Sequence, residues 1–252
     1  MTAFAAEYRD DGSSLGSAVQ LRSHLSALQL SDSAFPSGRF TLSYGLETLA
    51  HSDLLATPDR TSRLLAFLND AIRFGIGPSD GVAVACVHRA YRDGQIDLEL
   101  VMRADQRLTA VKLACESREA STRTGRALLH TATAGLGAAP LSDFAEQVDA
   151  GRCPGNHAVV LGLVSAALGV PRLQAIAGEL YAFASAWVAA AVRLSLIDHV
   201  EAQVLVHLTH PVTVAASIKA VDGDVVNISA STPLLDVMAM RHEESKLRLF
   251  AS

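Results

Sequence analysis

Apolar residues recur at helical spacing along most of the chain, and the clearest case begins at Leu173. The apolar side chains there follow one another mostly at steps of three or four residues: Leu173, Ile176, Leu180, Phe183, Trp187 and Leu194. This spacing puts them on one face of a helix. Because the other faces of the segment are mostly Ala and Val, we expect this helix to be central and surrounded by other helices.

Capping residues and breaks predict several further helices. We expect Thr57 to be the N-cap and Pro58 the first helical residue of a helix that ends at the Gly-Pro break of residues 75–78. Other helices are predicted over residues 42–51, 82–91 and 97–134. The stretch 225–229 has a strand-like composition. Because a single strand would have no partner, we interpret it as a loop or the edge of a helix.

The pattern therefore predicts an all-α fold, a single-domain bundle of about ten helices around the central hydrophobic helix. Residues 1–17 mix charges with Gly and Ser and have no apolar face, so we interpret them as a flexible N-terminal tail. The helical domain is expected over residues 18–252. Within it, residues 234–252 carry apolar positions on both sides of a dense charged patch, which is typical of a partner-binding segment as well as of simple docking.

Composition argues against several classes of partner and location. The chain has 252 residues, a net charge of −5 and a hydrophobic content of 50%, which argues against a nucleic-acid surface because such a surface is basic. Its three cysteines are odd in number and far apart, and no signal segment precedes the domain, so we expect a cytoplasmic protein without disulfides. The apolar stretch of residues 173–192 is long enough to span a membrane, but it contains Glu179 and lacks flanking aromatic or basic clusters, so no membrane partner is expected.

The most informative motif is a sharp turn in residues 28–47. Pro36 fixes its own φ and lacks a backbone donor, whereas Gly38 can adopt a positive φ. The turn reads P-x-G-x-x-x-x-S-x-G-L-E, with Gly45 and Glu47 in its second half. Farther along, residues 118–128 read R-x-x-S-x-x-x-G-R-x-L, and Arg241-His242-Glu243 is followed by Leu249-Phe250 near the last residue.

These separated motifs, with a weaker match at Asp80-Gly81, resemble the urease accessory protein family UreF over about residues 21–252. One departure is Leu196-Ile197-Asp198-His199, where many members carry a Pro-x-Gly-Gln kink. The resemblance implies a non-enzymatic adaptor and maturation chaperone, a homodimer that bridges a UreD/UreH scaffold and the GTPase UreG. Nickel would then be handled by the complex during metallocenter assembly in apo-urease, and GTP would be bound by UreG, so we expect no firmly bound cofactor in this chain.

Several residues are candidates for these contacts. As partner-binding residues we predict Arg241, His242, Glu243, Leu249, Phe250, Tyr44 and Glu47. A dimer or partner surface is a further hypothesis, with internal helix packing as the equal alternative, for Arg118, Ser121, Gly125 and Arg126. Pro36, Gly38 and Gly45 are expected to be structural turn residues.

Metal binding and catalysis have weaker candidates. Cys153 and His157 stand four residues apart, and either side chain suits Ni²⁺ or Zn²⁺, but a loop that N-caps the next helix through Asn156 explains them better. His207 and His210 stand three apart and are interpreted as a solvated or satisfied pair. Glu179, within the central helix, is more often a satisfied polar anchor than a catalyst. A helical enzyme and a helical transcription regulator stay open as alternatives.

Overall fold

The computed structural model describes residues 12–39, 42–136 and 141–243, and they form an all-α fold with one very small sheet. The α-helices are α1 (Gly12–Ser31), α2 (Leu46–Ala50), α3 (Arg60–Asp70), α4 (Val82–Ala90), α5 (Leu98–Val111), α6 (Cys115–Gly135), α7 (Ser142–Asp149), α8 (His157–Ala167), α9 (Arg172–Arg193), α10 (His199–Leu208), α11 (His210–Ala220) and α12 (Pro233–Glu243). The prediction of an all-α fold is confirmed.

The core lies where α4, α8 and α9 meet. Trp187 of α9 is completely buried, and the described fold buries every residue of α8 from His157 to Ser165. The predicted apolar helix is thus confirmed as α9, although it shares the centre with α8. By length and composition alone α9 could also cross a membrane, but more than half of its most apolar stretch is buried against other elements, as in the core helix of a globular protein.

The predicted break at residues 75–78 is wrong. Residues Ala71–Gly81 form a π-helix that joins α3 to α4 without interruption. Pro78 has no N–H to donate within this helix. The loop before α12 bonds two carbonyls of the segment, because the Phe74 carbonyl accepts the N–H of Ser231 at 2.9 Å and the Pro78 carbonyl accepts the N–H of Ser229 at 3.1 Å. The helix continues through the proline.

Other element boundaries also differ from the prediction. Asp59, not Thr57, is the N-cap of α3, and α1 begins at Gly12, whereas helical patterning was expected from Ala18. The first eleven residues of the expected tail lie outside the described residues. Asp93-Gly94 does end a helix, but it also makes a turn with positive φ at both residues (51° and 79°), which closes a two-stranded hairpin of β1 (Tyr91–Arg92) and β2 (Gln95–Ile96).

The remaining local predictions are mixed. Residues Val225–Asn227 form a 3₁₀ turn, which confirms that this segment is not a strand. The predicted helical region 97–134 is two helices, α5 and α6, with a break at residues 112–114. Asp198 and Glu201 form a reciprocal capping box at the start of α10, so the departure from the family pattern is a helix N-terminus here.

Candidate functional site

A cavity of about 120 Å³, lined by both charged and apolar side chains, lies between the described residues of the turn (36–39 and 42–45), the π-helix, α6, α9 and α12. The turn has the geometry that the sequence predicts, because Gly38 and Gly45 adopt φ of +80° and +78°. Gly45 is also the N-cap of α2, and a Cβ there would lie 3.1 Å from the backbone nitrogen of Ala239 in α12. The turn therefore fixes both the wall of the cavity and the approach of α12.

One buried ion pair crosses the cavity from the turn to α9. The two terminal nitrogens of Arg39 donate to the two carboxylate oxygens of Glu179 at 2.6 and 3.1 Å. This is the bidentate arrangement in which a guanidinium grips a carboxylate most firmly. Glu179 is only 3% exposed, so the expectation of a satisfied polar anchor is met.

His157 lies beside this pair. Its Nε2 is 3.0 Å from Nη1 of Arg39 and 3.8 Å from Glu179. A guanidinium nitrogen only donates, so Nε2 accepts and the ring is neutral. Burial, and then the charge of Arg39, hold the pKa of His157 well below its usual range.

Burial acts on both members of the ion pair. It raises the pKa of Glu179, while the charge of Arg39 opposes it. Burial lowers the pKa of Arg39, but Glu179 and Tyr44 together outweigh that effect and leave it raised. The bidentate contact favours the charged form of both groups.

A second ion pair lies on the π-helix side of the cavity. Nζ of Lys112 donates to the two carboxylate oxygens of Asp80 at 2.9 and 2.8 Å, and Ser79 donates to the same carboxylate at 2.8 Å. Asp80 is 4% exposed. Each pair is neutral overall: the first joins the turn to α9, and the second joins the π-helix to the segment after α5.

A third buried carboxylate, Asp105 of α5, organises the loop that precedes α8. It accepts the backbone N–H groups of Gly155 and Asn156 at 2.7 and 2.9 Å, and the side-chain amide of Asn156 at 2.7 Å. Burial raises the pKa of Asp105, and these hydrogen bonds oppose the rise. Asn156 is the N-cap residue of α8, but its side chain makes no capping hydrogen bond there, which corrects the expectation that it caps α8.

This loop covers the strip on α6 that was a candidate dimer surface. A Cβ at Gly125 would lie 2.0 Å from the Gly155 carbonyl, and the Ser121 hydroxyl accepts the His157 N–H at 3.4 Å. Ser121 and Gly125 therefore pack against the chain's own backbone, which favours the internal-packing alternative for these two residues. Arg118 donates to the carbonyls of residues 112 and 113, whereas Arg126 is exposed.

The C-terminal helix α12 is fastened to the bundle through His242. Its Nδ1 is 2.7 Å from a carboxylate oxygen of Glu116 in α6, and its Nε2 is 3.1 Å from one of Glu47 in α2. The Glu243 carboxylate accepts the backbone N–H of Glu116 at 3.1 Å, at the N-terminus of α6. We call His242, Glu47, Glu116 and Glu243 the α12 clasp.

The α12 clasp changes the interpretation of the predicted partner-binding residues. Glu47 and His242 are 3% and 1% exposed, so in this fold they hold α12 to the bundle and do not form an open surface. Arg241 is exposed, and Tyr44 packs edge to face on Phe183 at 4.9 Å between ring centroids. Leu249 and Phe250 lie outside the described residues.

The weak metal candidates do not gain ligands from the fold. Cys153 is buried, and burial, followed by the charge of Asp105, raises the pKa of its thiol to about 11. The thiol therefore stays protonated at neutral pH, whereas metal binding needs the thiolate. Among residues 12–39, 42–136 and 141–243, no group of three or more His, Cys, Asp or Glu side chains could hold a metal ion.

Sequence reasoning missed Arg39, Lys112 and Asp105 as parts of this site. Their partners are 140, 32 and about 50 residues away, and spacing along the chain does not reveal such pairs. The sequence does contain an indication for Asp105: this acidic residue lies on the same face of α5 as the apolar residues Val101 and Leu108, which is the buried face. Asp80 was noticed only as part of a weak motif.

Comparisons with known proteins give the family context of this geometry. A model of the UreF family matches residues 60–210. The urease accessory protein UreF of Trichodesmium erythraeum is 31% identical over 228 residues, which cover 90% of this chain and 96% of that protein. UreF proteins of Yersinia enterocolitica and Yersinia pseudotuberculosis are 29% identical, over 89% of this chain and 96% of each relative.

Proposed function

Because the chain belongs to the UreF family of urease accessory proteins, we propose that it is a non-enzymatic adaptor that bridges a UreD/UreH scaffold and the GTPase UreG for nickel insertion into apo-urease. The observation that carries the proposal is the extent of the likeness. The alignment covers 96% of relatives that are named as accessory proteins, so the proposal draws on the whole protein and not on one shared element. Cytoplasmic location and homodimerisation belong to the same proposal.

The cavity supports an adaptor more than an enzyme. Two ion pairs occupy its charged groups: Arg39 binds Glu179, and Lys112 binds Asp80. The ring of His157 is held neutral. A general acid or base needs a pKa near the working pH and a free path to its substrate. Paired in this way, the groups fix the relative positions of the elements around the cavity.

The surface also supports docking. The side chains of Leu21, Leu25 and Leu28 share one face of α1, and each is more than half exposed. An exposed apolar face of this kind is typical of a protein interaction site. The exposed guanidinium groups of Arg126 and Arg241 suit carboxylates on a partner. Nucleotide would be supplied by the GTPase, since the sequence contains no phosphate-binding G-x-x-x-x-G-K-[ST] loop.

Co-expression tests the proposal directly. The chain is produced with a UreD/UreH scaffold, UreG and apo-urease, and the scaffold is captured by an affinity tag. We expect UreG to be recovered only when this chain is present, and urease activity in nickel-containing medium to depend on it. Recovery of UreG in its absence contradicts bridging, and failure of the chain to join the scaffold favours the enzyme or regulator alternative. A scattering mass near 26.5 kDa at micromolar concentration contradicts the homodimer.

A further inference from the structure

The junction between α10 and α11 presents two histidines that the cavity and the clasp do not involve. His207 lies in the last turn of α10 and His210 is the first residue of α11. Their rings meet at 5.0 Å between centroids, with 69° between the ring planes. Both residues are exposed, so solvent reaches the pair.

The junction that holds these rings is rigid. Thr209, between the two helices, is 1% exposed, and its hydroxyl donates to the Val206 carbonyl at 2.7 Å. Pro211 follows at the start of α11 and fixes the backbone there. The backbone that carries the two rings is thus held in place by the buried Thr209, and the proximity of the rings does not depend on a flexible loop.

The surroundings of the pair are apolar and almost free of charge. Apart from their mutual contact, neither imidazole has a hydrogen-bond or ion-pair partner among the described residues. The large apolar side chains exposed on the two helices near the pair are Val204, Leu208, Val214 and Ile218, and the amide of Gln203 is exposed one turn before His207. Within α10 and α11, both described in full, Lys219 is the only exposed residue with a full charge, and no exposed carboxylate competes for the rings.

We propose that His207 and His210 form a two-imidazole half-site for a borderline divalent transition-metal ion such as Ni²⁺ or Zn²⁺. Imidazole nitrogen is a preferred ligand of these ions and a poor one for Mg²⁺ or Ca²⁺. Two imidazoles bound at about 2.0–2.1 Å to one ion, at neighbouring coordination positions, have ring centroids roughly 4.5–5.2 Å apart. The separation of 5.0 Å falls in that range.

Two ligands leave the coordination sphere incomplete. No third His, Cys, Asp or Glu joins the pair in the described part of the chain. Water, or groups of another molecule on this face, therefore fill the remaining positions. Such a site binds the ion with modest affinity and exchanges it rapidly. The inference rests on the geometry and chemistry of the two rings and does not require the adaptor function.

Metal titration of the untagged chain tests the half-site. Cys115 is an exposed thiol that also binds soft metals, so every variant is made in a Cys115→Ser background. Ni²⁺ is titrated at neutral pH by calorimetry into the background protein and into His207→Gln and His210→Gln. We expect one ion per chain in the background protein, and a loss of affinity of about tenfold or more in either variant because chelation by two rings is lost.

His199→Gln is the matched control, because His199 is another exposed histidine of α10. It should bind Ni²⁺ as the background protein does, and Mg²⁺ should bind to none of the proteins. All of these substitutions lie on the surface, so equal melting temperatures without metal verify that the fold is intact. Absence of Ni²⁺ binding to the background protein overturns the proposal. Binding that survives the His207→Gln/His210→Gln double substitution, or that is lost equally in His199→Gln, overturns it as well.

Discussion

Among the glycines of the described residues, Gly125 has the least room for a side chain. A Cβ there would lie 2.0 Å from a backbone carbonyl of the loop before α8, and backbone cannot rotate away as a side chain can. We expect Gly125→Ala to lower the free energy of unfolding by about 3 kcal/mol, because α6 must move away from the loop. Gly135→Ala, at the end of the same helix with open space around its Cβ, should be neutral or slightly stabilising. Equal denaturation midpoints for the two variants would contradict the close crossing.

His157 should make stability depend on pH in a defined direction. Its folded-state pKa is depressed, whereas in the unfolded chain it stays near the usual 6.5. Below about pH 6.5 the unfolded chain binds a proton that the folded chain does not. The free energy of unfolding therefore decreases as the pH decreases, by up to about 1.4 kcal/mol per pH unit for this group. The charged side chains nearest the ring are Arg39 and Glu179, and Lys112 also acts on it.

The measurement for this prediction is a comparison of two pH profiles. His157→Gln keeps an acceptor for Arg39 but cannot titrate. We expect the free energy of unfolding of the parent chain, relative to His157→Gln, to decline between pH 7 and pH 5 in denaturant titrations. Parallel profiles for the two proteins would show that His157 titrates in the same way in the folded and unfolded states.

For single residues, the sequence predicts constraints on the local backbone but not contacts between residues that are far apart along the chain. Pro36 and Gly38 restrict only their own backbone, so their turn could be predicted, and the positive φ of Gly38 agrees. Arg39 stands next to Gly38, yet its role comes from Glu179, 140 residues away. No periodicity encodes such a pairing. The same limit explains why the sequence left internal packing and a partner surface as equal alternatives for Ser121 and Gly125, and did not reveal the approaching backbone of Gly155–His157.

Among the elements, α12 depends most on a single side chain. Removing the ring of His242 would leave the buried carboxylate of Glu47 and the largely buried carboxylate of Glu116 without that contact. We expect His242→Ala to cost about 3–5 kcal/mol of stability. Its neighbour Arg241 is exposed, so Arg241→Ala should change stability by no more than about 0.5 kcal/mol. The free energies of unfolding of the two variants are compared by thermal and denaturant unfolding. A loss for His242→Ala no larger than that for Arg241→Ala would show that the α12 clasp does not stabilise the fold.

Elements with sustained periodicity were predicted well, and elements set by tertiary contacts were not. The helix α9 follows from its apolar spacing alone. The π-helix of Ala71–Gly81 does not, because Gly75, Gly77 and Pro78 normally signal a break, and the N–H groups of Ser229 and Ser231 satisfy the carbonyls near the proline. The hairpin at Asp93-Gly94 had a recognisable turn signal, but its strands of two residues are too short to show alternation.

On the scale of the whole molecule, the buried surfaces and the exposed ones have different tasks. The ion pairs and the α12 clasp lie between helices, whereas α1 and the α10–α11 junction expose several large apolar side chains. Glu47 and His242 are buried in this fold, so we expect partner contacts at other surfaces. The C-terminal segment 244–252 follows directly after the α12 clasp, and it remains the strongest partner-binding prediction from the sequence.

Removal of this segment tests that prediction for the intact protein. Deleting residues 236–252 would be a poor test, because it removes Met238, Ala239 and His242, which are buried in the bundle. Deleting only residues 244–252 leaves the α12 clasp complete, so we expect an unchanged melting temperature but loss of scaffold capture and of UreG recruitment. The double substitution Leu249→Ser/Phe250→Ser keeps the length and the charges of the segment. It should have the same effect if the apolar end makes the contact.

Arg241→Ala should weaken capture by about 2–5 kcal/mol if the guanidinium is buried in the interface, and by much less if it lies at the rim of the interface. Urease activation in cells, measured together with capture and melting temperature, decides the outcome: a shortened chain that still activates urease excludes the segment from the mechanism, and one that unfolds makes it part of the fold.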